Sequence, residues 1–447
     1  MVEYTGVFSK SLKMPSECFE KRESSMLDSF TCHNFRNIDV TDLKFGRINL
    51  LIGSNNSGKS NFIKALTFFS EMLKGVNEGG LNSAFLNATR RNGWEHMLNV
   101  SASSGTPIEF SWKINLLDTP VEYGFQFVVG ADISSCSIVS ETLDAAEPSE
   151  VYYSKAFNFF QCHTPYPGTG FFSTAMQKGD ANKRIRFDID SRETIAMQFK
   201  DILLRDKRVY NTGYVRKQIA ELLYRLQEFF EGFSVFAGSQ FNTIDIRKPA
   251  EIRNVDIMLN KTASNFVNIF NNYKAKDLRW KSEFVRYMQQ LIPGIRNLDS
   301  AVLYDKLVFK MIHEDFQLDL TDVSEGTIKG LILNTIINMP MKHKCSLLAI
   351  DEPEINLHPA WQKVIGNWIQ TSDNFDQCFI STHSPDLLDS FTEGFRNGDV
   401  AVFVFSTNEN CCNIKRIAYK DISEELGDWE LGDLYRTNDP ALGGWPW

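Results

Sequence analysis

Residues 53–60 read Gly-Ser-Asn-Asn-Ser-Gly-Lys-Ser, a complete G-x-x-x-x-G-K-[ST] loop lying directly after the apolar run Ile48-Asn49-Leu50-Leu51-Ile52. No other stretch restricts the fold so strongly. Such a loop works between a buried strand and the first turn of a helix, where backbone N–H groups and the helix dipole converge on phosphate oxygens. The helix-like stretch Asn61 to Phe69 follows as the loop requires. The residue types suit the chemistry. Gly53 and Gly58 let the backbone turn, Asn55, Asn56, Ser57 and Asn61 line the loop and helix start, Lys59 reaches the terminal phosphates, and the Ser60 hydroxyl ligates Mg²⁺. The chain is therefore expected to hold a nucleoside triphosphate, ATP with Mg²⁺.

With 447 residues, 43% of them hydrophobic, the chain is long enough for two or three domains with a substantial core. It has no uninterrupted apolar run of about 18 residues, and its first 28 residues are polar and mixed in charge. A cytoplasmic protein without a membrane span is expected. The eight cysteines are scattered and none forms a C-x-x-C pair, so neither a disulfide framework nor a zinc site is indicated. A net charge of −9 argues against a surface devoted to nucleic acid and leaves local basic patches. The strongest runs from Lys178 to Lys217, with eleven Lys/Arg against six Asp/Glu. It reads either as a nucleic-acid contact or as a solvated helical face.

Short strand-like runs begin near residue 28: Phe30-Thr-Cys-His, Ile38-Asp-Val, then the strand feeding the phosphate loop. The runs Ile108 to Ile114, Tyr123 to Val129 and Ser137 to Leu143 are spaced like antiparallel neighbours and predict a β-lobe. Between 151 and 300, stretches such as Arg216 to Phe230 and Thr262 to Phe270 repeat apolar residues at three- and four-residue intervals, which predicts a largely helical insertion. From 301 to 447 strand and helix signals alternate again, so a parallel sheet assembled from both ends of the chain is expected. The divisions are thus 1–27, an N-terminal extension; 28–150, a first half with the lobe; 151–300, the insertion; and 301–447, a second half.

Leu347-Leu-Ala-Ile-Asp351-Glu352-Pro353-Glu354 is a buried-strand run ending in carboxylates. Asp351 is assigned to Mg²⁺ through its water shell, and Glu352 to the attacking water as general base. Upstream, Ser324-Glu325-Gly326 opens the apolar helix Ile328 to Met339 and presents a hydroxyl and free N–H groups suited to a phosphate. Downstream, the strand Cys378 to Thr382 delivers His383, and Ser384-Pro385 opens a helix as N-cap and first-turn proline. A histidine there can hydrogen-bond a terminal phosphate.

The order phosphate loop, Ser-Glu-Gly helix, Asp-Glu-Pro-Glu strand with Asn356-Leu-His-Pro359, then Ser381-Thr-His-Ser-Pro385 resembles the ABC-type ATPase heads of the RecF/SMC/OLD group. Within it the chain is most similar to stand-alone bacterial AAA-family ATPases of anti-phage defence systems, of the Septu or PARIS ATPase-subunit type. The resemblance covers roughly residues 28–110 and 300–447. It implies an α/β P-loop NTPase head, with a mixed sheet core, an antiparallel β-lobe and a helical insertion. Gly53, Asn56, Gly58, Lys59 and Ser60 match the Walker A loop, Asp351 and Glu352 the Walker B strand and catalytic acid, Ser324, Glu325 and Gly326 the signature, Asn356 to His358 the D-loop, and His383 the switch histidine. Arg36 resembles the arginine that approaches nucleotide in these heads; a plain surface arginine is the other reading.

In such heads one subunit's signature completes another's ATP site, which implies a homo-oligomer of at least a head-to-tail dimer. The Val-Ser-Glu-Gly signature argues against a transporter subunit, and the glutamine loop is not placed, Gln126 being one candidate. About forty residues follow Phe405 and contain no Asp-x-Asp pair of the Toprim kind, so cleavage would fall to a partner. The resemblance implies an ATP-hydrolysing switch controlling a separate effector, a nuclease, in phage defence. The alternatives are a RecF-like ATPase that clamps DNA and a scaffold that binds ATP but barely turns it over. The aromatic tail, Leu426 to Tyr435 and Gly443 to Trp447, either docks a partner or packs on its own head.

Overall fold

A computed structural model describes residues 25–74, 83–116, 119–145, 157–163, 168–173, 184–205, 213–339, 345–408 and 411–442. A fourteen-stranded mixed sheet organises them. One half is parallel: the strands Phe233–Ala237, Cys345–Asp351, Phe375–Ser381, Ile48–Gly53 and Val400–Asn408 lie side by side in that order. The strand that feeds the phosphate loop thus sits between two strands from the C-terminal part of the chain, as the reading of a sheet built from both ends requires.

Alternation along these strands splits the core into two layers. Ile48, Leu50 and Ile52 join Leu348, Ile350, Ile380, Val402 and Val404 on one face, under the helices Phe266–Lys276, Leu278–Leu291, Glu325–Asn338 and Pro359–Thr371. Leu51, Leu347, Phe379, Phe403 and Phe405 face the other way, against the helix Lys59–Lys74.

The strand Cys411–Ile417 turns back antiparallel on Val400–Asn408 and meets Ile38–Lys44, from which Met26–Phe35, Ile108–Leu116, Thr119–Val128 and Ser137–Ala145 continue as an antiparallel lobe. The lobe does not stop at residue 150. Phe157–His163, Gly168–Ser173 and Arg184–Ile189 extend it by three antiparallel strands, and Phe233–Ala237 edges the parallel half, so strands stand beside the helices expected in the segment 151–300. At Gly170 a bare backbone lets the buried Phe187 ring lie across the neighbouring strand. The helices expected at Arg216 to Phe230 and Thr262 to Phe270 are present as Gly213–Glu231 and Phe266–Lys276.

A second, small sheet pairs Lys306–His313 with Ile295–Leu303, Ala250–Glu251 and Gln317–Asp319. It leads into the Glu325–Asn338 helix. Arg247 braces that entry, its Nη1 donating to the carbonyls of Leu320, Thr321 and Val323 at 3.1, 3.1 and 2.6 Å. Near the C-terminus Leu426, Leu431, Leu434 and Leu442 are buried and Arg436 pairs with Asp386 and Asp389, so this part of the tail packs on its own head, while Trp429 is half exposed. Residues 443–447 lie outside the described residues, as do most side chains of the basic stretch Lys178 to Lys217. No described helix is long and apolar enough to cross a membrane.

Candidate nucleotide site

The phosphate loop leaves the sheet at Gly53, whose φ of +142° and contact with Phe405 admit no side chain: a Cβ there would overlap the Phe405 carbonyl. Asn55 and Asn56 stand exposed at the apex, with Asn56 left-handed at φ +63°, while Ser57, Gly58 and Lys59 are buried. Gly58 sits over Asn37 and Cys412 and receives the Phe62 N–H at 2.8 Å, which starts the helix Lys59–Lys74.

Register brings the acids to this loop. Asp351 ends its strand opposite Ser381 and Ala237 on the neighbouring parallel strands. The Ser60 hydroxyl donates to Asp351 Oδ2 at 2.8 Å, and the Ser381 hydroxyl donates to Oδ1 in a short bond. Glu352 follows in a left-handed conformation, φ +52°, unusual for a glutamate and a form of local strain that clusters at functional sites. Its N–H is fixed by the Ser381 carbonyl at 3.0 Å, and its Oε1 lies 3.8 Å from His383 Nε2, just beyond hydrogen-bond reach. Lys59, Glu352 and His383 therefore share one corner.

The electrostatics follow from burial. The Lys59 ammonium donates to the carbonyls of Gly53 and Ser54, each at 2.9 Å, and burial pulls its pKa down to about 8 against the raising influence of Asp351, Glu352 and Glu354. Burial, helped by the Lys59 charge, lowers His383 to about 4, so its imidazole is neutral at pH 7. Arg36, in a left-handed turn at φ +53°, donates from Nη1 to Asn61 Oδ1 at 2.9 Å and from Nη2 to the Asn92 carbonyl at 2.7 Å. It is a held arginine beside the helix start, not a loose surface one.

Ser324 caps its helix through Oγ, which accepts the Thr327 N–H at 3.2 Å, and Glu325 Oε1 accepts from Asn356 Nδ2 at 2.9 Å. Glu325 and Gly326 are thus gathered with the Asn356 turn: Glu325 accepts the Asn356 amide, and a Cβ at Gly326 would crowd the Asn356 carbonyl.

Three features escape the motif reading. Gln126 lies mid-strand in the lobe, paired with Glu109 and Ser140. The exposed Gln240 instead follows the strand Phe233–Ala237 at the carboxyl end of the parallel half, just after Gly238, where a Cβ would overlap the Glu352 carbonyl. The string Phe-Ser-Val-Phe-Ala carries no signal beyond a short apolar strand. Cys412, buried beneath Gly58, is a second. Glu354, three residues past Asp351, is the third: its Oε1 accepts from Thr382 Oγ1 and from the His383 N–H, both at 2.8 Å.

Ser60 and Asp351 fit a magnesium ion by chemistry, being hard oxygen donors 2.8 Å apart that leave remaining positions to water and phosphate oxygens. No cluster of three or more His, Cys, Asp or Glu that could hold a metal ion occurs among the described residues.

A glycine-rich loop and an acidic strand end meeting at the carboxyl edge of a parallel sheet define a P-loop nucleotide-binding domain. A family described as "AAA domain, putative AbiEii toxin, Type IV TA system" matches residues 48–163 and 173–389, well over half of the chain. The chain belongs to this family of P-loop ATPases, which bind ATP, typically with Mg²⁺. No curated protein matches it. Among solved structures it is similar to an SMC head bound to the C-winged helix domain of ScpA, at 11% identity and a TM-score of 0.46, covering 88% of this chain and 99% of that one. It is also similar to an Smc head domain with an extended coiled coil bound to the C-terminal domain of ScpA derived from Pyrococcus furiosus (11%, 0.43, 90% and 99%). The SMC head domain from Thermotoga maritima is a third (10%, 0.40, 88% and 99%).

Proposed function

We propose that the protein is an ATP-hydrolysing switch that oligomerises on its nucleotide and controls a separately encoded effector, a nuclease, in defence against phage. The observation that carries the hydrolytic reading is the Ser60–Asp351 bond at 2.8 Å, with Glu352 and His383 beside it. Lys59, the loop N–H groups and Arg36 bind and orient the triphosphate. Ser60 and, through water, Asp351 would hold Mg²⁺, which would supply charge neutralisation at the phosphate oxygens. Glu352 takes the proton of the attacking water, the neutral His383 hydrogen-bonds the terminal phosphate, and Gln240 reaches the same edge in the role of the glutamine loop.

Assembly is supported by the signature. Ser324 and Glu325 stand exposed beside the exposed Asn356, an arrangement suited to closing a second copy's site head to tail. The defence reading is supported by the toxin and toxin–antitoxin wording of the family description and by the resemblance noted above.

Glu352→Gln tests the switch. It should lower kcat by about 10²–10⁴-fold while leaving ATP bound, and light scattering should show a trapped dimer with ATP but not with ADP. Lys59→Ala should abolish both binding and dimerisation. Unimpaired ATP affinity in Lys59→Ala would refute the site; a monomeric Glu352→Gln protein saturated with ATP would refute the assembly. Co-purification of a neighbouring nuclease that survives charge reversal at Lys183, Arg184 and Arg186 separates effector control from a DNA clamp.

A further inference from the structure

Glu354 is placed by the same parallel register as the catalytic corner but has no part in the hydrolysis scheme above. It leaves the turn after the strand Cys345–Asp351, and His383 leaves the turn after the adjacent strand Phe375–Ser381, with Asp351 and Ser381 directly opposite. One oxygen, Oε1, takes both the His383 N–H and the Thr382 hydroxyl at 2.8 Å. Thr382 is a hub in turn. Its hydroxyl accepts the Ser384 N–H at 3.0 Å, and its N–H donates to the Leu51 carbonyl, on the phosphate-loop strand, at 3.1 Å.

The other oxygen, Oε2, is buried without a partner. The Glu354 carbonyl also receives the Leu357 N–H at 3.0 Å, so the same residue anchors the Asn356 corner. A carboxylate that spends both its good bonds on one neighbouring turn, and leaves its second oxygen unpaired out of water, is placed for that turn and not for general cohesion.

We propose that Glu354 is a positioning residue: it holds the Thr382–His383 turn so that the imidazole faces Glu352, and thereby sets the turnover of bound ATP without taking part in binding it. This rests on the ATPase reading above. The lysine and loop amides that grip the triphosphate are anchored elsewhere, at Gly53, Ser54 and Gly58, so loss of the Glu354 tether affects the hydrolytic corner alone.

Steady-state ATP turnover and thermal melting of the full chain test it. Glu354→Asp keeps the charge but retracts the acceptor by one methylene; its kcat should fall about tenfold or more with KM changed less than about twofold. Glu354→Gln retains an oxygen at the same reach and should stay within about threefold of the unmodified chain. In a His383→Ala background Glu354→Asp should cost less than about twofold further, because the two act as one unit. Should the aspartate variant be unstable, Thr382→Val removes one leg of the tether and should give the same fall in kcat at constant KM.

Unchanged kcat in Glu354→Asp, a KM rising in step with the loss, or fully additive losses with His383→Ala would each overturn the proposal. An unmodified chain that hydrolyses no ATP overturns the ATPase reading and takes this one with it. An active chain indifferent to these substitutions overturns this one alone.

Discussion

The two halves of the large sheet solve different problems with the same backbone ladder. In the parallel half, apolar side chains alternate to both faces and every strand that matters ends in a polar turn; Gly53, Asp351, Ser381 and Ala237 arrive at one edge because parallel register aligns them. In the antiparallel lobe the interior is aromatic. Trp112 lies 5.4 to 6.2 Å from the rings of Phe30, Phe69, Phe110, Tyr123 and Phe230, and its indole N–H donates to the Leu66 carbonyl at 3.0 Å. Each half buries a carboxylate among backbone donors, and the contrast is instructive. Glu141 in the lobe uses both oxygens, taking the Tyr123 hydroxyl and the N–H groups of Ile195 and Ala196, whereas Glu354 leaves one oxygen unpaired. Packing serves stability in the lobe; in the parallel half, position is kept at a cost in unsatisfied groups.

If that division is right, Trp112→Ala should cost about 3–5 kcal/mol in a denaturant titration yet leave kcat per folded molecule close to normal. A large loss of turnover in the folded fraction would show that the lobe reaches into the chemistry. A smaller effect concerns Glu141, whose carboxyl burial raises to about 7 against its three donors. Between the unfolded value near 4.5 and about 7 the folded state holds a proton that the unfolded chain has released, so this contribution is complete below pH 4.5 and disappears as pH rises through 7. The stability lost is on the order of 3 kcal/mol. Melting curves from pH 5 to 8 should show the decline, and Glu141→Gln should flatten it.

The smallest effect belongs to the other half. Lys59, with a pKa of about 8, must be charged to meet a triphosphate, so ATP affinity should weaken above pH 8, by at most about tenfold per pH unit. Calorimetry at pH 8 in buffers of different ionisation enthalpy should register proton uptake on binding. Proton release, or an affinity flat to pH 10, would mean that the lysine is already charged without nucleotide.

The parallel half was legible where its chemistry is written locally. The phosphate loop, the Asp351-Glu352 strand end, and the caps Ser324 and Ser384-Pro385 each occupy a few consecutive residues, and the fold places them as read. The lobe strands showed through alternation, at Ile108–Leu116 above all. What stayed hidden depends on contacts between distant segments. Gly238 meets Glu352, and Gln240 follows it at that edge, only because Ala237 pairs with Asp351, more than a hundred residues away. Glu354 looks like one more acid in a turn until the adjacent strand brings Thr382 and His383 to it. The strands between 157 and 189 are short and glycine-spaced, and weak period-two patterns of that length do not stand out from helical surroundings.

One detail of the loop has a bearing on selectivity. The Lys59 ammonium is already engaged by two carbonyls of its own turn. An arriving anion must therefore outcompete a partnership in being, exchanging one pair of oxygens for another, rather than fall into the field of a bare cation. A triphosphate offers that exchange more anionic oxygens than a chloride or a single phosphate does.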